Sequence, residues 1–456
     1  MNILILGAGE VGFYIAQRLA TEGNDVVVVD NDAERLQRVA DTMDVKTVLG
    51  QASYPSVLRQ AGADNAELLI AATTNDETNM LACQVAHSLF KVTTKMARIR
   101  EPDYVNSVEL FGRDELPIDL IISPEREAAN SIIKRFQVSS AVDAQDFADG
   151  RVQLLGLRVP PKGILAGLAL NELDEVMGDI RTYIVAHEHN RKWRVPKSDT
   201  VLLAGDSVYI ALSKGQVNSF LEHVGYETSE HKNRHVMMVG GGNVGFIVAQ
   251  QLEKMGASIK LIEHNPRRAQ WLAEQLDSSV VIHGSALDRD LLEEEAIDSM
   301  DDFLALTNDD ETNILASLIA QKYDVSHVVT LVNRAIYTDL VRQIGLDITV
   351  SPRFTTASSI LRHVRKGRIL GMSPLGDGTL EVLEAVALET SNILHTPLSA
   401  LELPANTVIG AIVRDEIVII PDGSTMIEPD DHVLLVTQSK SLRAVEKLFE
   451  VHLEFF

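Results

Sequence analysis

A single cysteine, Cys83, occurs in 456 residues, which excludes a disulfide framework and any metal site built from several thiolates. Its setting, TNMLACQVAHSLF, reads as a buried apolar position on a helix, not as a reactive thiol. No apolar run approaches the roughly 18 residues that a membrane-spanning helix requires. Positive charge is also scarce: 41 Lys and Arg face 65 Asp and Glu, a formal net charge of −24, with no basic run to override it. That balance argues against nucleic acid and anionic lipid as partners, since both attract basic patches. The chain enters a strand pattern at once, without a charged leader or cleavage site, so a cytoplasmic location is expected. Any service to a membrane would then pass through another protein.

What remains is a globular composition, 45% apolar and 23% charged, in a length that suits about three domains of roughly 150 residues. The sequence laid on itself shows a duplication. Gly7, Gly9 and Gly12 recur as Gly240, Gly242 and Gly245, an offset of 233 that also carries Asp30 to Glu263. One added residue makes the offset 234: VLGQAS meets IHGSA, and TTNDETNMLA (73–82) meets TNDDETNILA (307–316). IISP (121–124) answers TVSP (349–352), and a register held this far is a repeat.

Each copy alternates strand and helix. The runs VVVV (26–29), ELLIAA (67–72) and DFLALT (302–307) read as strands buried on both faces, the signature of a parallel sheet covered by helices. Shorter strands and turns follow in each half, where Pro196 lines up with Pro421 and Asp206 with Asp431. The expected fold is α/β. Rossmann-like lobes at 1–126 and 234–353 are each followed by a small α+β lobe, at 142–226 and 370–456, with helical connectors near 127–142 and 354–368.

The glycines carry the first chemical expectation. A strand over residues 2–6 runs into Gly7-Ala8-Gly9-Glu10-Val11-Gly12, and a helix follows through Thr21. In that context Gly7 permits the tight turn, Gly9 lets backbone approach a pyrophosphate, and Gly12 lets the helix pack close to the strand. The phosphates rest at the helix N-terminus. Asp30, 18 residues beyond Gly12, accepts ribose hydroxyls and repels a 2′-phosphate, which favours NAD(H) over NADP(H). ATP and ADP carry the same ribose and stay open, as does a fold that has lost its ligand. Gly240-Gly241-Gly242-Asn243-Val244-Gly245 with Glu263 repeats the device, although Arg267 and Arg268, expected as exposed helix arginines, blur the argument against a 2′-phosphate there. TTNDETN after the fourth strand places Thr73 and Thr74 where ligands bind in open sheets. A plain capping turn, with Thr74 or Asn75 as cap, fits equally.

Catalytic groups are harder to find. There is no H-E-x-x-H, no G-x-S-x-G and no phosphate loop with its lysine. HEH (187–189), in HEHNRK, reads as a solvated hairpin, and His231, His235 and His264 have no ligand spacing with another histidine or an acid. No catalytic or metal-binding residue is assigned. Two nucleotide folds without further chemistry suggest that the nucleotide is read as a signal; an NAD-dependent oxidoreductase would need a catalytic acid that the sequence does not offer.

GAGEVG…VVVVD and GGGNVG…IKLIE, each followed by a small lobe ending in D-x-V-x-x and, in the second, IIPDGSTMIEPDDHVLL, closely resemble the regulators of K⁺ conductance. The tandem arrangement is similar to the cytoplasmic regulatory subunit of bacterial Trk potassium-uptake systems. The resemblance implies a peripheral protein on the cytoplasmic face of the inner membrane. It would be a ring of four chains under a membrane-embedded K⁺-translocating partner, gated by nucleotide. A similar module acting on another cation transporter is the neighbouring alternative. It also implies binding roles for Gly7 to Val11, Asp30, Thr73, Thr74 and an arginine on the fifth strand, Arg98 in KMARIR. Taking Arg100 with Arg334 sets Arg98 against Val332, so the second copy lacks that guanidinium, and unequal nucleotide affinity at the two sites is expected.

Overall fold

The computed structural model describes residues 1–456 except 22, 113–114, 138–140, 191, 227–233, 347, 353–354, 357–358, 361–362, 364–368, 377 and 450–456. Four sheets follow one another along the chain. Strands β1 (Asn2–Leu6), β2 (Asp25–Asp30), β3 (Lys46–Leu49), β4 (Leu68–Ala71), β5 (Thr94–Arg98) and β6 (Leu120–Ile122) form a 6-stranded sheet in the order β3-β2-β1-β4-β5-β6. All of its pairings are parallel. Strands β7 (Asp143–Phe147), β8 (Val152–Arg158), β9 (Thr182–His189), β10 (Lys192–Arg194) and β11 (Ser207–Ser213) form an antiparallel sheet ordered β10-β9-β11-β8-β7.

The second half repeats both designs. Strands β12 (His235–Val239), β13 (Ser258–Glu263), β14 (Val280–His283), β15 (Asp302–Ala305), β16 (His327–Leu331) and β17 (Ile348–Val350) take the order β14-β13-β12-β15-β16-β17. Strands β18 (Ile369–Leu375), β19 (Leu380–Val386), β20 (Thr407–Arg414), β21 (Ile417–Ile419) and β22 (His432–Gln438) form the last sheet, ordered β18-β19-β22-β20-β21. The continuous apolar runs make the central strands: every residue of β4 and of β15 is buried. Helices on both faces seal them, and Cys83 lies fully buried in the core beneath β4 and β5, where desolvation pushes its thiol up to about 12.

The chain divides into two compact units, and each unites like with like. One contains Met1–Asn130, Val236–Gln250 and Ile259–Ile360, and therefore both parallel sheets; the other contains Ser131–His235, Gln251–Ser258 and Leu361–Phe456, and both antiparallel sheets. In the second unit the two small lobes share one core, in which Leu154, Val185 and Tyr209 of the first meet Leu380, Val382 and Leu434 of the second. A Cβ on Gly410 would stand 2.4 Å from Val185 Cγ1, so the sheets approach at van der Waals limits there. The expected connector near 127–142 is the helix Pro124–Gln137. Most of the one at 354–368 lies outside the described residues.

Candidate nucleotide cleft

The topology reverses between β1 and β4, so the crevice of the first parallel sheet opens beyond their carboxyl ends. The glycine loop fills that place, and its glycines are required for different reasons. Gly7 has φ +107°, and a Cβ there would stand 2.9 Å from the Ala72 carbonyl group. A Cβ on Gly12 would fall 1.9 Å from the Gly7 carbonyl oxygen. Gly9 differs: nothing lies within 4 Å of its Cβ position, so its backbone faces open space. The helix Glu10–Thr21 starts directly behind it, so the positive end of its dipole lies at the cleft wall formed by Gly9, Glu10 and Val11.

Asp30 is buried and ties this loop to the second strand. Its Oδ2 accepts the Ala8 N–H at 2.6 Å and its Oδ1 the Asp32 N–H at 2.9 Å. Glu10 pairs instead with Arg38 at 3.1 Å, and Arg38 lies 4.5 Å over the Phe13 ring. In the loop after β4, Asn75 is the helix cap, accepting the Thr78 N–H at 2.6 Å. Thr73 donates its hydroxyl to Asn79 Oδ1 at 2.6 Å, while the Thr74 carbonyl accepts from the Arg100 guanidinium. Asp76 receives the N–H groups of Arg100 and Glu101, both at 2.8 Å, and so fastens the end of β5 to this helix.

Arg98, at the end of β5, places its guanidinium 3.6 Å from the Glu125 carboxylate. Both side chains are largely buried, and Arg98 Nε and Glu125 Oε2 have no hydrogen-bond partner among the described residues. Burial lowers the Arg98 pKa, with Glu125 opposing it. The sequence marks Glu125 only by its place just after the SP of IISP.

The second parallel lobe repeats the cradle with two corrections to expectation. Gly241 N–H donates to Glu263 Oε2 at 2.8 Å, as Ala8 does to Asp30, and Gly245 meets Gly240 as Gly12 meets Gly7. Arg268, however, is no free surface arginine. Its Nε donates to the Gly241 carbonyl at 2.8 Å and its guanidinium lies 4.0 Å over the Trp271 ring, so a cation covers this glycine loop. The second correction concerns register. Asn79 donates to the Arg98 carbonyl, and its counterpart Asn313 donates to that of Leu331, at 2.8 and 3.0 Å. The strand partners agree: Ala71 faces Ala97, and Ala305 faces Thr330. Arg98 therefore corresponds to Leu331, Ile99 to the buried Val332, and Arg100 to Asn333. One residue is lost between the helix Asp310–Lys322 and β16, which restores the offset of 233. The guanidinium is absent from the second lobe in either register.

Both lobes meet in a cleft of about 430 Å³. One wall is Gly7, Gly9, Asp30, Thr73, Thr74, Arg35 and Arg98; the other is Val244, Asn308, Leu331, Asn333 and Pro352 of the second lobe. Val11 and Val244, Thr74 and Asn308, and Pro124 and Pro352 are equivalent positions that all line it, so the two crevices open into the same cleft. Sequence periodicity carries no sign of this shared cleft.

Within the first small lobe, HEH is not the solvated hairpin expected. It closes β9, and His187 is 4% exposed with its Nε2 2.7 Å from Asp206 Oδ2. Alternation along β9 puts His187 and His189 on the same face, and pairing with β11 brings Asp206 to them. Of the other histidines, His231 lies outside the described residues, and His264 contacts its neighbour Glu263 at 3.0 Å.

Comparison with known proteins agrees with this geometry. The sequence profile of the TrkA-N domain matches residues 3–124 and 236–352, and that of the TrkA-C domain matches 154–225 and 382–450. The Trk system potassium uptake protein TrkA of Halomonas elongata is 41% identical over 460 residues, spanning 100% of both chains. Its namesake in Vibrio alginolyticus is 40% identical over 99% of each. Among solved structures, the GsuK RCK domain has a TM-score of 0.62 at 19% identity, covering 98% of this chain and 94% of that one. The GsuK channel bound to NAD has a TM-score of 0.61 at 19% identity, covering 98% and 78%. At such identity these two speak for the fold. Taken with the full-length relatives and the doubled domains, they place the chain plainly: it belongs to the TrkA family of Trk system potassium uptake proteins.

Proposed function

We propose that this chain is a nucleotide-sensing regulatory subunit of a potassium-uptake system, and that the cleft between its parallel lobes holds the nucleotide. The observation that carries the reading is the lining of the first glycine loop, with Gly9 open to the cleft, Asp30 behind the loop and Arg98 across from it. The phosphates would lie against the N-terminus of the helix Glu10–Thr21, with the guanidinium of Arg98 on the same cleft to receive them. A ribose would meet Asp30, whose charge disfavours a 2′-phosphate, so NAD(H), or ATP and ADP, fit better than NADP(H). The TrkA name of the relatives and the NAD held by GsuK point the same way.

The lining favours binding over turnover. Its three carboxylates are already engaged among the described residues, Asp30 by the Ala8 and Asp32 N–H groups, Glu10 by Arg38 and Glu125 by Arg98. The binding residues of this reading are Gly7 to Gly12, Asp30, Thr73, Thr74 and Arg98, with Gly240 to Gly245 and Glu263 as the second, weaker set. A ligand that touches both walls changes the free energy of lobe spacing, and it shifts the regulatory equilibrium only by its differential affinity for the two states. Couplings of this kind are about 1–3 kcal/mol, a shift of roughly 5- to 150-fold. No helix among the described residues is long and apolar enough to cross a membrane. From its membership in the TrkA family we assign ion passage to a membrane-embedded partner and this chain to a ring of four copies beneath it, on the cytoplasmic face.

Calorimetric titration with NADH, NAD⁺, ATP and ADP tests the reading, with each nucleotide checked afterwards for chemical change. Saturable binding of unaltered ligand, weakened about tenfold or more by Asp30→Ala, is the expected result. Absence of binding by all four, or consumption of the ligand, overturns it.

A further inference from the structure

In the first small lobe the acid that ends the turn before β11 is gripped by two imidazoles. Asp206 Oδ2 lies 2.7 Å from His187 Nε2 and Oδ1 lies 2.8 Å from His189 Nδ1, while the Leu203 N–H donates to Oδ2 at 3.0 Å. Asp206 and His187 are buried, and His189 is 34% exposed, which leaves a path from solvent.

The duplicated lobe shows what this turn needs and what it does not. Asp431, equivalent to Asp206, accepts the Glu428 N–H at 2.8 Å and a bidentate grip from Arg414, with Nε at 2.8 Å and Nη2 at 2.7 Å. Arg414 occupies the place of His189, and the fully buried Ile412 the place of His187. Anchoring the carboxylate therefore takes one guanidinium, and the strand position beside it takes an aliphatic side chain. The first lobe sets imidazole nitrogens at both places, and those nitrogens and the carboxylate lie within 4.8 Å of one another.

We infer that His187, His189 and Asp206 form a binding site for a divalent transition-metal ion, zinc(II) foremost. Two neutral imidazoles and a carboxylate are the donor set that zinc accepts with one position left for water, whereas calcium and magnesium call for oxygen ligands. His187 Nδ1 has no hydrogen-bond partner among the described residues. Zinc-bound imidazoles usually have such a partner, and its loss weakens binding by about 10- to 100-fold. The site is therefore one for an exchangeable ion. An ion held here joins the end of β9 to the turn before β11, a connection that the second lobe makes permanently with Arg414.

The test uses the full chain stripped by a chelator and titrated with cobalt(II), then with zinc(II) in competition. One equivalent of cobalt(II) with visible absorption of low-symmetry nitrogen and oxygen ligation, displaced by zinc(II), is expected. Replacing the pair with the second lobe's side chains, His187→Ile with His189→Arg, should abolish that absorption and leave the fold intact by circular dichroism. Should that double variant not fold, His189→Gln at the exposed ligand decides, and a loss of about tenfold or more in affinity is expected. No saturable cobalt(II) absorption in the native chain overturns the inference, as does undiminished binding in either folded variant.

Discussion

Arg98 and Glu125 form a largely buried ion pair at 3.6 Å on the wall of the cleft, and Arg98 Nε and Glu125 Oε2 have no hydrogen-bond partner among the described residues. Such a pair is held for something beyond itself, because buried charges with open hydrogen-bonding capacity add little stability on their own. Arg98→Ala should weaken binding of nucleotide di- and triphosphates by about tenfold or more and leave nucleoside binding nearly unchanged. It also strands the Glu125 carboxylate, at a cost of about 1–3 kcal/mol, part of which Arg98→Ala with Glu125→Gln should recover. Urea unfolding of the single and double variants measures the second point; strictly additive losses would contradict the pairing.

Gly9 and Gly12, three positions apart, should respond in opposite ways to the same change. Gly12→Ala forces a methyl group to 1.9 Å from the Gly7 oxygen, and should cost about 3 kcal/mol or more in stability. Gly9→Ala meets nothing within 4 Å, and should leave stability within about 0.5 kcal/mol of native. Its methyl group enters the cleft, so the loss should appear in nucleotide affinity. Thermal unfolding beside calorimetric titration separates the two effects, and equal destabilisation by both changes would contradict the close-approach role of Gly9.

Acid should attack the first small lobe through Asp146. Its burial opposes ionisation, but the Gln153 amide at 2.9 Å and the ammonium groups of Lys134 and Lys214, at 3.3 and 3.6 Å, outweigh this and hold the carboxyl below its ordinary range. A depressed carboxyl pKa stabilises the fold fully above the unfolded value, about 3.9, and the contribution is lost as pH falls through the folded value. Asp146→Asn should therefore lower the urea midpoint at pH about 6 and narrow its gap from native as pH falls to about 3. A gap that stays constant would remove Asp146 from the acid response.

Cys83 should be chemically silent. It is fully buried, and a thiol pushed up to about 12 has almost no thiolate at neutral pH. Alkylation by iodoacetamide at pH about 8 should run at least about 100-fold slower in the native chain than in urea, since it must await local opening. Equal rates would place the thiol at the surface.

The sequence was legible where a local rule sets the chemistry. Gly7, Gly12 and Asp30 stand where strand-turn-helix spacing puts them, and Asn75 of TTNDETN caps the helix that begins at Asp76. It was misleading where meaning depends on a distant strand. His187 looks solvated beside Glu188, Asn190 and Lys192, and only the pairing of β9 with β11 buries it against Asp206. The match of Arg98 with Val332 failed for a related reason. A one-residue loss between a helix and β16 leaves no mark in composition, and strand partners were needed to show that Leu331 is the counterpart. Arg268 reads as exposed because the residues it covers, Gly241 and Trp271, are brought to it only by the fold of a helix over a loop.

The opening of unlike crevices into one cleft has an evolutionary consequence. In an assembly of identical subunits joined about a two-fold axis, every substitution is inherited by both faces at once, and a pocket cannot acquire an arginine on one side alone. Fusing the two copies into a single gene lifts that constraint. Each wall here can change on its own, so that Arg98 stands in the first copy where the second has Leu331. One half is free to specialise in recognition while the other becomes the surface against which recognition is felt.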